Sequence, residues 1–94
     1  MQKSEFTLSL SKDVQVFMEK LEPKHFRQIG KKIFSLLNDP CPHDSADLIG
    51  YSPLKRVDIG EYRIVYQIRE STVEVWLVDK RNDDEVYKRL KRLF

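Results

Sequence analysis

Arg63, Arg81 and Tyr87 are the residues of this sequence whose types and spacing could do chemistry. A guanidinium stays protonated across accessible pH and presents a planar fork of donors that grips a phosphate at two points. A tyrosine ring offers a flat face on which an unstacked base can lie. Together they have the makings of a nucleotide site. The same side chains are equally ordinary on a solvated surface, so their placement has to separate the two readings.

The elements that would place them follow from hydrophobic periodicity. Around Arg63, Tyr62, Ile64, Tyr66 and Ile68 alternate with Arg63, Val65, Gln67 and Arg69, which predicts a strand over 62–68 with the first set inward. Leu54–Ile59 and Thr72–Lys80 read as its neighbours, joined by short turns at Gly60-Glu61 and Glu70-Ser71. Gly60 suits the first turn because a tight hairpin needs a positive φ there. In the preceding strand Val57 and Ile59 share one face and Arg56 and Asp58 the other, so Arg56 and Arg63 stand side by side. Two adjacent guanidiniums repel, and Asp58 on the same face can compensate. In the third strand Trp76 and Val78 are expected out of phase with Val73, Val75 and Leu77, and Lys80 and Arg81 carry the basic group past the sheet edge.

Upstream, Lys3–Leu10 reads as a first strand with Phe6, Leu8 and Leu10 alternating. Ser11 fits a helix N-cap, and Val14, Phe17, Met18 and Leu21 form one helical face. Pro23 suits the first turn of a second helix whose stripe is Phe26, Ile29, Ile33, Leu36 and Leu37, stopped by Asn38, Asp39 and Pro40. Residues 40–53 show neither periodicity and read as a surface loop with Leu48 and Ile49 tucked inward. Asn82, Asp83 or Asp84 caps a final helix with Val86, Leu90 and Leu93 on its buried face and Phe94 at its end. Tyr87, about 100° from that stripe, should be partly exposed. The expected fold is a small α+β domain spanning 1–94 in the order β-α-α-β-β-β-α, a mostly antiparallel sheet packed against a helical hairpin.

Composition narrows the function classes. Ninety-four residues with 40% hydrophobic and 34% charged content can enclose one modest core. Residues 1–50 carry seven basic against seven acidic side chains and residues 51–94 carry ten against eight, so the net charge of +2 resides entirely in the C-terminal part. The apolar stretch near Phe6 is too short for a signal peptide or membrane span, and a lone Cys41 allows no internal disulfide, which together point to the cytoplasm. His25 and His43 have no partners at metal-ligand spacing, and no cofactor motif is present. Neither a histidine nor a carboxylate pair offers a conventional acid and base.

The runs LKRVDIGEYRIVYQI and VEVWLVDKRNDDEVYKRL, with GEYRIVY and KRNDDEVY as their sharpest parts, resemble the RelE/ParE superfamily of bacterial toxins, closer to the RelE branch of ribosome-dependent messenger-RNA endonucleases. The resemblance covers nearly the whole chain. It implies a type II toxin that cleaves mRNA on the translating ribosome without a metal, the 2′-hydroxyl attacking the scissile phosphate. Arg63, Arg81 and Tyr87 match its catalytic or substrate-binding positions. Two lysines that the family places two residues apart align here with Leu54 and Arg56, which casts Arg56 as a charge stabiliser. Lys55, Lys80, Lys88 and Lys91 are expected to help hold RNA. The resemblance also implies a cognate RelB-like antitoxin, covering the basic face and apolar surface near Phe17, Phe26 or Phe94, with the ribosome and mRNA as further partners. The ParE branch, which inhibits DNA gyrase by binding alone, is the alternative, and a catalytically dead RNA-binding member a third.

Overall fold

The computed structural model describes residues 6–82 and 85–93, the side chain of Leu93 excepted. Its elements are β1 (Thr7–Leu10), α1 (Lys12–Glu19), α2 (Pro23–Ser35), β2 (Ser45–Asp47), β3 (Lys55–Ile59), β4 (Tyr62–Arg69), β5 (Thr72–Lys80) and α3 (Glu85–Leu93). The fold is α+β as expected, with the order β1-β5-β4-β3-β2 across one five-stranded sheet. β1 runs parallel to β5 at one edge, and the remaining pairs are antiparallel.

Local chemistry explains the elements. The Ser11 hydroxyl accepts from the Val14 amide at 3.1 Å, capping α1, and donates to the Trp76 carbonyl at 2.8 Å, which ties the helix start to β5. Pro23 opens α2. Gly60 takes φ +58 at the β3–β4 turn, and Glu70 takes φ 55 at the β4–β5 turn. The expected caps Asp83 and Asp84 lie outside the described residues, as do Lys3, Ser4 and Glu5 of the first strand and Phe94.

The sheet separates two apolar clusters. On one side Val14 and Met18 of α1 and Ile29 and Ile33 of α2 meet Val57, Tyr62, Ile64, Tyr66, Val73 and Val75. On the other, Val86 and Leu90 of α3 meet Leu48, Leu54, Val65 and Leu77. The face that carries Arg56 and Arg63 is therefore partly roofed by α3. Burying an aliphatic side chain contributes roughly 1.5–3 kcal/mol, so Val86 and Leu90 hold a helix whose other residues are mostly polar.

Four sequence expectations are corrected. The 40–53 segment contains a short strand, β2, which pairs with β3; its three residues are too few to show a period. Leu48 is buried, but Ile49 is 89% exposed: the Leu48 amide extends the ladder to the Leu54 carbonyl, and the next side chain turns away past the sheet edge. Phe26 is half-exposed rather than part of the α2 core stripe, and it lines a groove with Leu8, Leu10, Met18, Ile33 and Phe34. In β5, Val65 pairs with Leu77 while Tyr66 pairs with Val75, so Trp76 is the extra residue of a bulge. Val78 consequently joins Val73 and Val75 in the α1/α2 cluster, whereas Leu77 and Trp76 turn to the α3 side.

Candidate functional site

The Gly60-Glu61 turn fixes the β3–β4 register, and in that register Asp58 stands directly opposite Arg63. Arg56 lies two residues earlier on β3 and therefore on the same face. Arg63 Nε donates to Asp58 Oδ1 at 2.8 Å and its Nη2 to Oδ2 at 3.2 Å. An Nη of Arg56 lies 3.6 Å from Asp58 Oδ2 and one of Arg81 lies 3.9 Å from it. Arg81 reaches this point because its backbone amide donates to the Glu61 carbonyl and its Nε to the Gly60 carbonyl, each at 3.0 Å. Three guanidiniums from β3, β4 and the end of β5 thus surround one carboxylate, leaving two net positive charges at a partly exposed spot.

Burial, the largest single influence on the Asp58 carboxyl, raises its pKa, but the bond to Arg63 and the charges of Arg63, Arg56 and Arg81 outweigh it and hold the group below its ordinary value. Asp58 is accordingly an anion at neutral pH. A phosphate oxygen offers the same chemistry as a carboxylate oxygen to guanidiniums, so the cluster can hold a phosphodiester beside Arg56 and Arg81, whose side chains are the more exposed.

Tyr87 lies on the same sheet face, since α3 packs over Leu54, Val65 and Leu77. Its ring contacts Tyr51 with centroids 6.5 Å apart, and it is half-buried. The expected Arg56, Arg63, Arg81 and Tyr87 therefore come to one face. The lysines divide differently. Lys55 projects from β3 on the opposite face from Arg56, with no register shift to re-aim it, and pairs with Asp47 at 2.8 Å. That bond is the largest influence on its amine, which is held above its ordinary pKa. Lys80 stands opposite Tyr62, again on the α1/α2 side. Lys88 is exposed and lies 3.6 Å from Glu85, and Lys91 is exposed on the same helix. Leu54, at the position of a family lysine, is 1% exposed within the α3-side cluster.

Two residues matter more than the sequence suggested. Asp58 is the hub of the cluster rather than a general counter-charge. Arg89, not singled out beforehand, donates to the Val78 carbonyl at 3.2 Å and to Asp79 at 2.8 Å, and reaches Asp13 at 3.6 Å. It secures the helix that carries Tyr87. Its position three residues after Val86, on the flank of the apolar stripe, was the available signal. His25 packs edge-on to Tyr62 on the far side of the sheet, and among the described residues no group of His, Cys, Asp or Glu gathers to hold a metal ion.

Comparison with known proteins follows the same lines. The family model of the ParE toxin of type II toxin-antitoxin systems, parDE, matches residues 5–85. No curated protein matches the sequence. Among solved structures, the free state of an Escherichia coli RelE toxin variant is 26% identical and superposes with a TM-score of 0.76, covering 95% of this chain and 98% of that one. The isolated E. coli RelE toxin is likewise 26% identical, with a TM-score of 0.71 over 95% of this chain and 99% of that one. The archaeal RelE-RelB complex from Pyrococcus horikoshii is 21% identical, with a TM-score of 0.71 over 82% of this chain and 96% of that one. With the family model matching most of the sequence and RelE folds retraced across it, the chain belongs to the ParE toxin family of type II toxin–antitoxin systems, within the RelE/ParE superfamily and close to RelE.

Proposed function

We propose that residues 1–94 act as one RelE-like domain, an endoribonuclease that cleaves messenger RNA on the translating ribosome. The observation that carries the proposal is the convergence of Arg56, Arg63 and Arg81 on one sheet face that also holds Tyr87. Cleavage of this kind uses the 2′-hydroxyl as internal nucleophile, so the protein has to align it, stabilise charge on the phosphorane and assist the leaving 5′-oxygen. Tyr87 orients the nucleotide at the cut, Arg56 and Arg63 stabilise the phosphate, and Arg81 stands near the leaving group. Lys88 and Lys91 on the exposed side of α3 extend the basic surface toward the RNA backbone, whereas Lys55 and Lys80, on the other face, would meet RNA only at the sheet edges. The carboxylate of the site, Asp58, is bound by Arg63 at two points and held below its ordinary pKa, which makes it a weak proton acceptor and accords with dependence on the ribosome for alignment.

The partner that restrains such a toxin is a RelB-like antitoxin in the cytoplasm. Relatives have been solved as complexes with RelB. The groove lined by Leu8, Leu10, Phe26, Ile33 and Phe34 offers apolar surface to an amphipathic segment of such a partner, with half-exposed Phe26 and 62%-exposed Phe34 at its rim.

The ParE-like reading, gyrase inhibition by binding alone, is favoured by the family model and by Leu54, buried where the RelE branch has a lysine. Primer extension on mRNA in a reconstituted translation reaction separates the two. Cuts at ribosome-occupied codons that fall by about 100-fold or more in Arg81→Ala and in Tyr87→Ala, with both variants folded, support the nuclease. Growth arrest without cuts rejects it in favour of a protein target such as gyrase.

A further inference from the structure

We propose that Asp58 is a positioning residue that sets the geometry and net charge of the arginine cluster, matching it to a phosphodiester at the point of cleavage rather than to the resting diester. The inference rests on the phosphate-binding reading of that cluster and adds to it a residue with no contact to the RNA.

Asp58 meets three cations, but not equally. Arg63 is its cross-strand partner and is held at two points, by Nε at 2.8 Å and by Nη2 at 3.2 Å, in a side chain only 15% exposed. That pairing fixes the plane of the Arg63 guanidinium. Arg56 and Arg81 stand farther off, at 3.6 and 3.9 Å from the same Oδ2, and are 31% and 50% exposed. They are gathered by the carboxylate without being saturated by it. Three guanidiniums around one point would otherwise repel, and the long side chain of Arg56 would turn out to solvent, whereas Arg81 keeps its bond to the Gly60 carbonyl and loses only the carboxylate that draws its Nη inward. Asp58 is thus the template on which Arg56 and, together with the Gly60 carbonyl, Arg81 are held ready while Arg63 serves as the fixed post.

Charge adds a second argument. A phosphodiester carries one negative charge, and attack by the deprotonated 2′-oxygen makes a phosphorane carrying two. Three arginines and one carboxylate present two positive charges, which equals the phosphorane and exceeds the diester. Interactions that are stronger in the transition state than in the ground state accelerate a reaction, whereas those that hold both equally only tighten binding. Removing the negative charge of Asp58 would raise the cluster to three positive charges, which attract diester and phosphorane alike more strongly. It would also release Arg63 and Arg56 from their common anchor, so that the placement needed at the phosphorane is lost and kcat falls while binding does not.

The test is Asp58→Asn, which keeps the shape and loses the charge, beside Asp58→Glu, which keeps the charge and displaces it by one methylene. Cleavage of mRNA on programmed ribosomes, measured against ribosome concentration, is expected to show kcat reduced at least tenfold in Asp58→Asn with KM unchanged or lowered. Asp58→Glu should lie between it and the wild type in kcat, with KM as in the wild type. A kcat that is unchanged or raised, or an effect confined to a raised KM, overturns the proposal. Arginine Nε–Hε NMR signals of the free proteins decide the geometry without any cleavage. A protected Arg63 signal that becomes labile in Asp58→Asn, with shifts at Arg56 and Arg81, supports the template; identical spectra overturn it. A wild type that cuts no RNA on ribosomes rejects the nuclease reading, and the NMR comparison still decides whether Asp58 positions the arginines.

Discussion

Arg89 on α3 donates to Asp79 Oδ2 at 2.8 Å, so the helix bearing Tyr87 is pinned to the end of the strand that leads into Arg81. The same guanidinium meets the Val78 carbonyl and, on α1, Asp13. Arg89→Ala removes these contacts and leaves α3 held by Val86 and Leu90. We expect a loss of about 1–2 kcal/mol in urea unfolding, with amide exchange in α3 accelerated well beyond that of β4. Equal acceleration in both elements would show that Arg89 does not secure the helix specifically.

The pH dependence of stability follows from Asp58. Its pKa in the folded chain lies below the ordinary 3.8, so the unfolded chain takes up a proton first as pH falls. The carboxylate therefore contributes stability above the ordinary carboxylate range, and that contribution is lost as pH drops through it toward the lowered folded value. Tm measured below about pH 4.5 should fall less steeply in Asp58→Asn than in the wild type. Asp44, whose bond to Lys32 likewise lowers its pKa, retains part of the slope in that variant. An unaltered acid limb would exclude Asp58 from it.

Gly60 combines a φ of +58 with a carbonyl that accepts from Arg81 Nε. A Cβ there would lie 2.9 Å from the Gln28 side-chain amide, a flexible end that can yield, so the backbone conformation dominates the cost. Gly60→Ala should destabilise the fold by about 1–2 kcal/mol in chemical denaturation. A change within error would mean that the turn readily adopts another form.

Leu54→Lys restores the residue type that the RelE branch carries at this position but places an ammonium in the cluster of Leu48, Val65, Leu77 and Leu90. We expect a loss of about 3 kcal/mol or more and no gain in cleavage. A stable variant with faster cleavage would instead show that the lysine reaches the RNA and that the α3-side core rearranges around it.

Much of this arrangement was legible in the sequence because a strand has a period of two. Alternation alone placed Tyr62, Ile64 and Tyr66 toward α1 and α2 and Arg63 and Val65 away from them with Arg56, but the register sets Asp58 opposite Arg63 and Arg56 opposite Val65, so the two arginines are not the direct neighbours expected. The same parity already set Lys55 apart from Arg56. The bulge at Trp76 was not legible, since one extra residue reverses the phase of all that follows and nothing local announces it. Nor was the exposure of Phe26 and Ile49, because an apolar residue at the margin of an element is buried only if a neighbour covers it. The role of Arg89 escaped for a related reason. Its partners Asp13, Val78 and Asp79 come from two other elements, and only the packed fold brings them within reach.

The parallel edge pair also has a consequence for synthesis of the chain. Thr7 and Thr72 share a side-chain hydrogen bond across a sequence separation of 65 residues, and among the described residues β1 pairs with β5 alone. Contacts this distant in sequence are slow to form and form late. A chain emerging from the ribosome must therefore wait for β5 before its first strand can dock, and for Arg81 before the arginine set is complete. The order of translation itself withholds the finished arginine set until β5 and Arg81 have been made.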